Sequence, residues 1–254
     1  MVPENQPIEL FYVSPNNVRE GLFTIVGDDF HHARRVLRKR TNDTIIATDG
    51  QGMEYNGIIR QVMADRIICD IQKVRRRPRE PFTTVTLLVG MLKSHRFSVM
   101  VEKTTEIGVS RIIPVLTEHC EVGDNSRKVN HWKAIAKAAM KQSGRSILPE
   151  IDAPLPFREA IDHVLKVPLK LIAHPCPAAR SMNVLLAEEN KKNLSLPLQH
   201  VVIAIGPEGG FSQREVDLAM ENQFIAVSLG VRRLRSETAA CVALTSLLYH
   251  QGEF

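Results

Sequence analysis

The residues best able to do chemistry begin at Ile205-Gly206-Pro207-Glu208-Gly209-Gly210-Phe211-Ser212. This stretch leaves an apolar run, His200–Ile205, and opens a helical pattern, Gln213–Asn222. Three glycines in one turn permit positive φ and let a ligand approach the backbone closely. Ser212 with Glu215 reads as a capping box, which locates the helix start. A single glycine would suggest an ordinary strand-to-helix turn, whereas three favour a ligand loop. The loop is neither Gly-x-Gly-x-x-Gly nor the Walker pattern ending in Gly-Lys-Ser/Thr. It also comes late in the chain, whereas dinucleotide loops follow the first strand of their domain. A phosphate is therefore not its obvious ligand.

A second stretch follows the next predicted strand: Leu229-Gly230-Val231-Arg232-Arg233-Leu234-Arg235-Ser236-Glu237-Thr238-Ala239. Both stretches follow strands of one βαβ unit, so both belong at the carboxyl edge of a sheet, where open α/β sheets bind ligands. Ser236 is positioned to cap the last helix. Arg232, Arg233 and Arg235 just ahead of that helix are poorly placed for its dipole, so something anionic should compensate. An anion site and a solvated basic loop remain equal alternatives on these residues alone. A third group is Lys93, His95, Arg96, Glu102, Lys103, Thr105 and Glu106. Glu102 and Glu106 share a helix face, and ion pairing with neighbours such as Lys103 explains them better than acid–base work. Gln142, Ser143 and Arg145 close a helix at Gly144, as a C-cap or a pocket wall. His174 ends a strand before Pro175 and reads as a hydrogen-bonded wall residue. His31-His32-Ala33-Arg34-Arg35-Val36-Leu37-Arg38-Lys39-Arg40 gathers cations with few acidic neighbours beyond Asp28 and Asp29. A solvated helix face is the plain alternative, but phosphate binding explains the cluster more economically. Little aromatic surface accompanies it, which points to folded RNA recognised by shape and backbone.

The elements that must position these groups change texture near Arg75–Pro81, a charge run containing Pro78 and Pro81. Before it, Leu10–Val13, Leu22–Val26, Thr44–Thr48, Tyr55–Val62 and Arg66–Val74 read as strands separated by turns. One helix interrupts them, Asp29–Lys39, with Phe30, Ala33, Val36 and Leu37 near helical spacing. That describes a small β-barrel-like module. Afterwards strand and helix alternate: Thr83–Gly90, His95–Ile107, Arg111–Leu116, Lys128–Ser143, Phe157–Leu165, Leu169–Ala173, His200–Ile205, Gln213–Asn222, Ile225–Leu229 and Glu237–His250. The alternation predicts a mostly parallel sheet covered on both faces. Glu188–Leu198, polar and containing Pro197, reads as a loop. Domains are expected at residues 1–77 and 78–254.

The chain has 254 residues with 44% hydrophobic and 24% charged side chains, which suits a globular protein with a real core. No apolar run approaches the ~18 residues of a membrane span. Met1–Leu10 lacks the pattern of a signal peptide. Cys69, Cys120, Cys176 and Cys241 form no Cys-x-x-Cys pair and no His-Glu-x-x-His occurs, so no structural metal or disulfide framework is expected, and a reducing cytoplasm is the default. A net charge of +5 hints at a polyanionic partner. The positive charge bunches at Arg34–Arg40 and again at Lys73–Arg79.

With these residues in hand, the chain resembles the RsmE-type 16S rRNA (uracil-N3)-methyltransferases of the SPOUT superfamily. The resemblance rests on the 205–212 loop with Glu215 and on Leu229-Gly230-x-Arg232-x-Leu234-Arg235-x-Glu237-Thr238-Ala239. His32-x-x-x-Val36-Leu37-Arg38, Glu102-Lys103-x-Thr105-Glu106-x-Gly108-Val109, Gln142-Ser143-x-Arg145 and His174-Pro175 match in order along nearly the whole chain. Arg40-Thr41-Asn42-Asp43 departs from the usual turn ending in Gly-Asp, and Glu9 stands where an arginine is common. The resemblance implies a PUA-like β-barrel at the N-terminus and a SPOUT-type α/β domain tied in a trefoil knot. It also implies a homodimer and S-adenosylmethionine held in the knot. The target would be N3 of one uridine in the decoding region of 16S rRNA in the small ribosomal subunit.

On that basis His174, Ile205, Gly206, Pro207, Glu208, Gly209, Gly210, Leu229, Gly230, Leu234, Thr238 and Ala239 are expected to hold the donor. Arg232, Arg235 and Glu237 are the expected catalytic residues. His32, Arg34, Arg35, Arg38, Lys39, Arg40, Lys93, Arg96 and Arg145 are the expected RNA contacts. No motif residue is an obvious general base, and Glu102, Glu106, Glu208 and Glu237 are the candidates. Two rival readings remain: a non-enzymatic RNA-binding or ribosome-assembly protein that binds no donor, and a nucleotide-dependent enzyme. The missing loop lysine counts against the second.

Overall fold

A computed structural model describes residues 9–121, 126–192 and 198–253. Residues 1–8, where no leader is expected, and 193–197, within the expected 188–198 loop, lie outside the described residues. The chain packs as two compact units. One runs up to Glu80 and includes Lys137–Leu148; the other comprises Pro81–Ala136 and the chain from Pro149 on.

The first unit is a six-stranded sheet built from β1 (Leu10–Tyr12), β2 (Val18–Arg19), β3 (Leu22–Val26), β4 (Thr44–Thr48), β5 (Met53–Val62) and β6 (Arg66–Arg76). Its order is β1-β4-β5-β6-β3-β2, antiparallel except for β1 against β4. Side chains alternate along each strand, so Phe23, Ile25, Ile45, Ala47, Ile67 and Cys69 point into one core with Phe11 and Phe30. The basic segment starts as α1 (Gly27–His31) and continues as a π-helical turn, His32–Val36. Leu37 N–H donates to the His32 carbonyl at 3.2 Å, an i to i+5 bond. That wider winding turns Val36 away from the face shared by Phe30 and Ala33. Val36 is 64% exposed and does not join the core that helical spacing predicts for it. Asn42, at the departure from the family turn, takes φ +75°, a left-handed conformation that asparagine tolerates.

Two internal carboxylates shape this unit. Glu54 is wholly buried and holds both Arg75 and Arg79, so part of the second basic bunch is internal structure. Glu80 Oε2 accepts from Arg145 Nη2 at 2.8 Å, and Glu80 Oε1 accepts from the Ser146 and Ile147 N–H groups at 2.6 and 2.9 Å. Arg145 and Glu80 side chains are 4% and 1% exposed. The expected RNA contact at Arg145 is thereby corrected: its guanidinium is enclosed against Glu80, out of reach of a phosphate. Breaking a buried pair strands a charge at about 3–5 kcal/mol. Glu80→Ala is therefore expected to destabilise the chain by about that amount in urea denaturation; a loss under about 1 kcal/mol would contradict the pair's importance.

The second unit carries β7 (Thr84–Gly90), α2 (Ser94–Ile107), β8 (Arg111–Leu116), the start of α3 (Val129–Ser143), β9 (Glu150–Ile151), β10 (Leu155–Pro156) and α4 (Phe157–Asp162). It continues with β11 (Leu169–Ala173), β12 (Arg180–Ser181), α5 (Met182–Lys192), β13 (His200–Ile205), α6 (Gln213–Glu221), β14 (Phe224–Ser228) and α7 (Ser236–His250). The sheet runs β10-β8-β7-β13-β11-β14-β12, with β9 beside β8, and every pairing is parallel. A parallel sheet buried on both faces needs continuous apolar strands, and all of β13 after His200 is buried. The face that α4 and α6 cover holds Leu88, Ile113, Val202, Ala204, Phe211 and Phe224 in one core. On the sheet, α7 packs against β7 and β13, with α2 and α5 beside it.

Two local expectations change. Residues 188–192, expected as loop, continue α5 to Lys192: none of them is Gly or Pro, so their backbone carries no helix breaker. The N-cap of α7 is Arg235, and no side chain caps this helix. Ser236 is its first helical residue and buried, so it does not do the capping its type suggests.

Candidate active site

Three strands end level with one another. Ala173 of β11 pairs with Ile205 of β13 on one side and with Val227 of β14 on the other. The connection β13–α6–β14 therefore spans an inserted strand, and three carboxyl-edge loops converge: 206–212, His174–Pro175 and 228–235. Between them lies a cleft of about 500 Å³, the size of a small-molecule site.

The 206–212 loop is fixed from several sides. Gly210 N–H donates to the Pro207 carbonyl at 2.9 Å. The predicted capping box is present: Ser212 N–H donates to Glu215 Oε2 at 2.8 Å and Glu215 N–H to Ser212 Oγ at 3.3 Å. Glu215 Oε1 also accepts from Glu118 N–H at 2.9 Å, joining this helix start to the loop after β8. A Cβ on Gly209 would stand 2.8 Å from His119 Cβ, so only glycine fits there without movement. Gly90 at the end of β7 is just as constrained, because a Cβ there would meet Pro207. A lone glycine ending a strand carries no signal in the sequence, so only the tertiary contact with Pro207 singles out Gly90.

Of the expected donor residues, His174, Ile205, Gly206, Pro207, Glu208, Gly209, Gly210, Leu229, Gly230, Leu234 and Ala239 line the cleft. Thr238 does not; it is exposed on the first turn of α7. Burial holds the His174 imidazole below its ordinary pKa, so it is neutral at pH 7. Among the expected catalytic residues Arg232 lines the cleft, while Arg235 and Glu237 do not. Arg232 is exposed and, among the described residues, has no ion-pair or hydrogen-bond partner. Its neighbour Arg233, which also lines the cleft, donates to the Glu208 carbonyl at 3.3 Å. Arg96 Nη1 donates to Glu208 Oε1 at 3.1 Å, and its Nε lies 4.0 Å from Glu237 Oε1. Arg96 is thus engaged by carboxylates next to the cleft. Lys93 pairs with Glu121 at 3.0 Å on an exposed surface.

The remaining RNA candidates sit together in the first unit. His32, Arg34, Arg35, Arg38 and Arg40 are exposed. Arg34 donates to the Met63 and Ala64 carbonyls at 3.3 and 3.2 Å and stacks over Phe30, while Lys39 lies 3.9 Å from Glu9. Among the described residues no group of His, Cys, Asp or Glu could hold a metal ion, and no helix is long and apolar enough to cross a membrane.

Residues 78–248 match the model of the RNA methyltransferase domain, and residues 25–72 that of the RNA methyltransferase PUA domain. The chain belongs to the RNA methyltransferase family. Within that family it is 31% identical to the Ribosomal RNA small subunit methyltransferase E of Synechocystis over 92% of this chain and 75% of that one. The Mesomycoplasma hyopneumoniae protein of the same name is 29% identical, covering 92% and 96%. The crystal structure of the Neisseria gonorrhoeae protein of that name, bound to S-adenosylmethionine, superposes with a TM-score of 0.80 at 28% identity, covering 95% of this chain and 97% of that one. The expected fold, a mostly parallel α/β domain behind an N-terminal PUA domain, is the fold observed.

Proposed function

We propose that this chain methylates N3 of a uridine in the decoding region of 16S rRNA, using S-adenosylmethionine. The observation that carries this reading is the cleft itself: two sequence motifs of an RNA methyltransferase meet at level strand ends and supply most of its wall. The cleft suits the donor because its 206–210 side presents backbone and no bulky side chain but Pro207 and Glu208, and because the neutral His174 adds no repulsive charge. When bound, S-adenosylmethionine supplies an electrophilic methyl group on a sulfonium. The 206–210 turn, Leu229–Gly230 and Leu234 would hold it mainly through backbone groups, with Ala239 at the adjoining helix start; Thr238, outside the cleft lining, is left out of this set.

Uracil N3 carries a proton and is a poor nucleophile until that proton leaves. Arg232 faces the cleft and stabilises the negative charge that then develops on the uracil oxygens, an oxyanion-type role. Arg235 adds positive potential at the same edge.

We assign residues 1–77 to RNA recognition and 78–254 to transfer. The exposed cations of the π-helical turn support the first assignment. The trefoil knot and the association of two copies belong to the same reading. The strand order, with β14 beyond β11 from β13 and α7 returning to pack on β13 and β7, is compatible with the knot and with an unknotted doubly wound sheet alike. A ribosomal substrate implies a cytoplasmic protein.

The decisive experiment is transfer of labelled methyl to small subunits lacking the modification, followed by mapping of the product base. Methyl on N3 of uridine is the expected result; no transfer, or another base, overturns the reading. Calorimetry with S-adenosylmethionine separately excludes a pure RNA-binding role if the donor binds. Replacing Arg34, Arg35 and Arg38 together by Ala is expected to weaken small-subunit binding and flatten its salt dependence by roughly one unit of slope per lost phosphate contact. Donor affinity should be unchanged. Equal affinity for the subunit at every salt concentration would reject the phosphate-binding role.

A further inference from the structure

Four carboxylates are candidate proton acceptors, and the tertiary structure separates them. Lys103 Nζ holds Glu102 at 2.7 Å and Glu106 at 3.0 Å on α2, and neither lines the cleft. Glu237 lies in the first turn of α7, outside the cleft lining, with Oε2 buried and without a hydrogen-bond partner among the described residues. Of the four, Glu208 alone lines the cleft. Its Oε1 is fixed by Arg96, while Oε2 accepts no hydrogen bond among the described residues. Its backbone is held as well, through Arg233 at the carbonyl and through the Gly209–His119 contact next to it.

We infer that Glu208 accepts the N3 proton of the target uridine and that Arg96 is the positioning residue that aims it. This rests on the function proposed above. In the step, the N3–H bond breaks and an O–H bond forms on Glu208. The electron pair stays on N3, which becomes the nucleophile, and the proton passes to water once product leaves. Arg96 leaves one carboxylate oxygen free while fixing the other. It also reaches Glu237, so one guanidinium joins the glycine loop to the start of α7. The same carboxylate discriminates between bases. Uracil N3 offers it a hydrogen, whereas cytosine N3 offers a lone pair and is repelled.

The test is single-turnover methyl transfer to unmodified small subunits at saturating donor, across pH, alongside calorimetric donor titration. Glu208→Gln keeps the size and an oxygen for Arg96 but cannot take a proton. Its rate is expected to fall about 100-fold, with donor Kd within about threefold, because the donor meets this loop through backbone. The deficit should shrink as pH rises, since hydroxide increasingly removes the N3 proton unaided. Arg96→Met is expected to lose roughly tenfold or more through misplacement of Glu208, and Arg96→Lys to recover part of that loss. A Glu208→Gln rate within about threefold of the parent, or a deficit equal at every pH, overturns the inference. Absence of transfer by the unaltered chain overturns the proposed function and this inference with it.

Discussion

Replacing Gly90 by Ala is expected to lower affinity for S-adenosylmethionine about 100-fold while leaving the chain folded. Gly90 ends β7, beside β13 in the sheet. A Cβ at this position would lie 2.4 Å from Pro207 Cδ and 2.5 Å from Pro207 N. These are ring and backbone atoms, so no change of rotamer relieves the clash. Gly90 is not in the left-handed region, and alanine can adopt its backbone conformation. All the strain therefore comes from contact, and it is relieved by pushing the 206–210 turn away from the sheet. Overpacking of this kind costs about 1–3 kcal/mol of stability, a shift of several degrees in Tm for a chain of this size. Binding suffers more, because a displacement near 1 Å breaks several backbone contacts to the donor together. Calorimetry with the donor, with far-UV circular dichroism to verify folding, checks this. A folded variant with unchanged donor affinity would show that the turn does not hold the donor.

Arg232→Ala should instead spare the donor and impair the chemistry. Arg96 and Arg233 are both tied to Glu208, one to its carboxylate and one to its carbonyl. Arg232 lines the cleft with no partner among the described residues, so its charge is available to a substrate. Loss of the N3 proton places negative charge on the uracil oxygens, and that charge is greatest at the transition state. Removing one preorganised donor of this type costs about 100- to 1000-fold in kcat, and Arg232→Lys should restore part of it by keeping the charge. Turnover at saturating donor and calorimetric Kd separate the two effects. A large loss of donor affinity with turnover retained would move Arg232 from the reaction to the binding of the donor.

Local patterns made much of this molecule legible. The capping box at Ser212 and Glu215 was readable because both partners lie within one helical turn, and the structure contains both bonds. The strands of the parallel sheet were readable because burial on two faces demands unbroken apolar runs. The pairs β9, β10 and β12 are two residues each, too short for any periodicity to mark them. Helical spacing misplaces Val36 because it assumes α winding, and the chain winds more widely there. Ser236 has the residue type of a cap but falls one position inside the helix.

By itself the amino-acid order determined the glycine loop, the arginine loop, the alternation of strand and helix, and the basic segment near the N-terminus. Each depends on neighbours within a few residues, where spacing and turn chemistry act. Only the tertiary structure decided which charges are free. Arg145 is closed against Glu80, 65 residues away, and Arg96 against Glu208, 112 residues away. The same holds for the cleft, which exists because β11 is inserted between β13 and β14. Charge pairing and strand order join segments remote in the chain, and no local periodicity encodes which of them will meet.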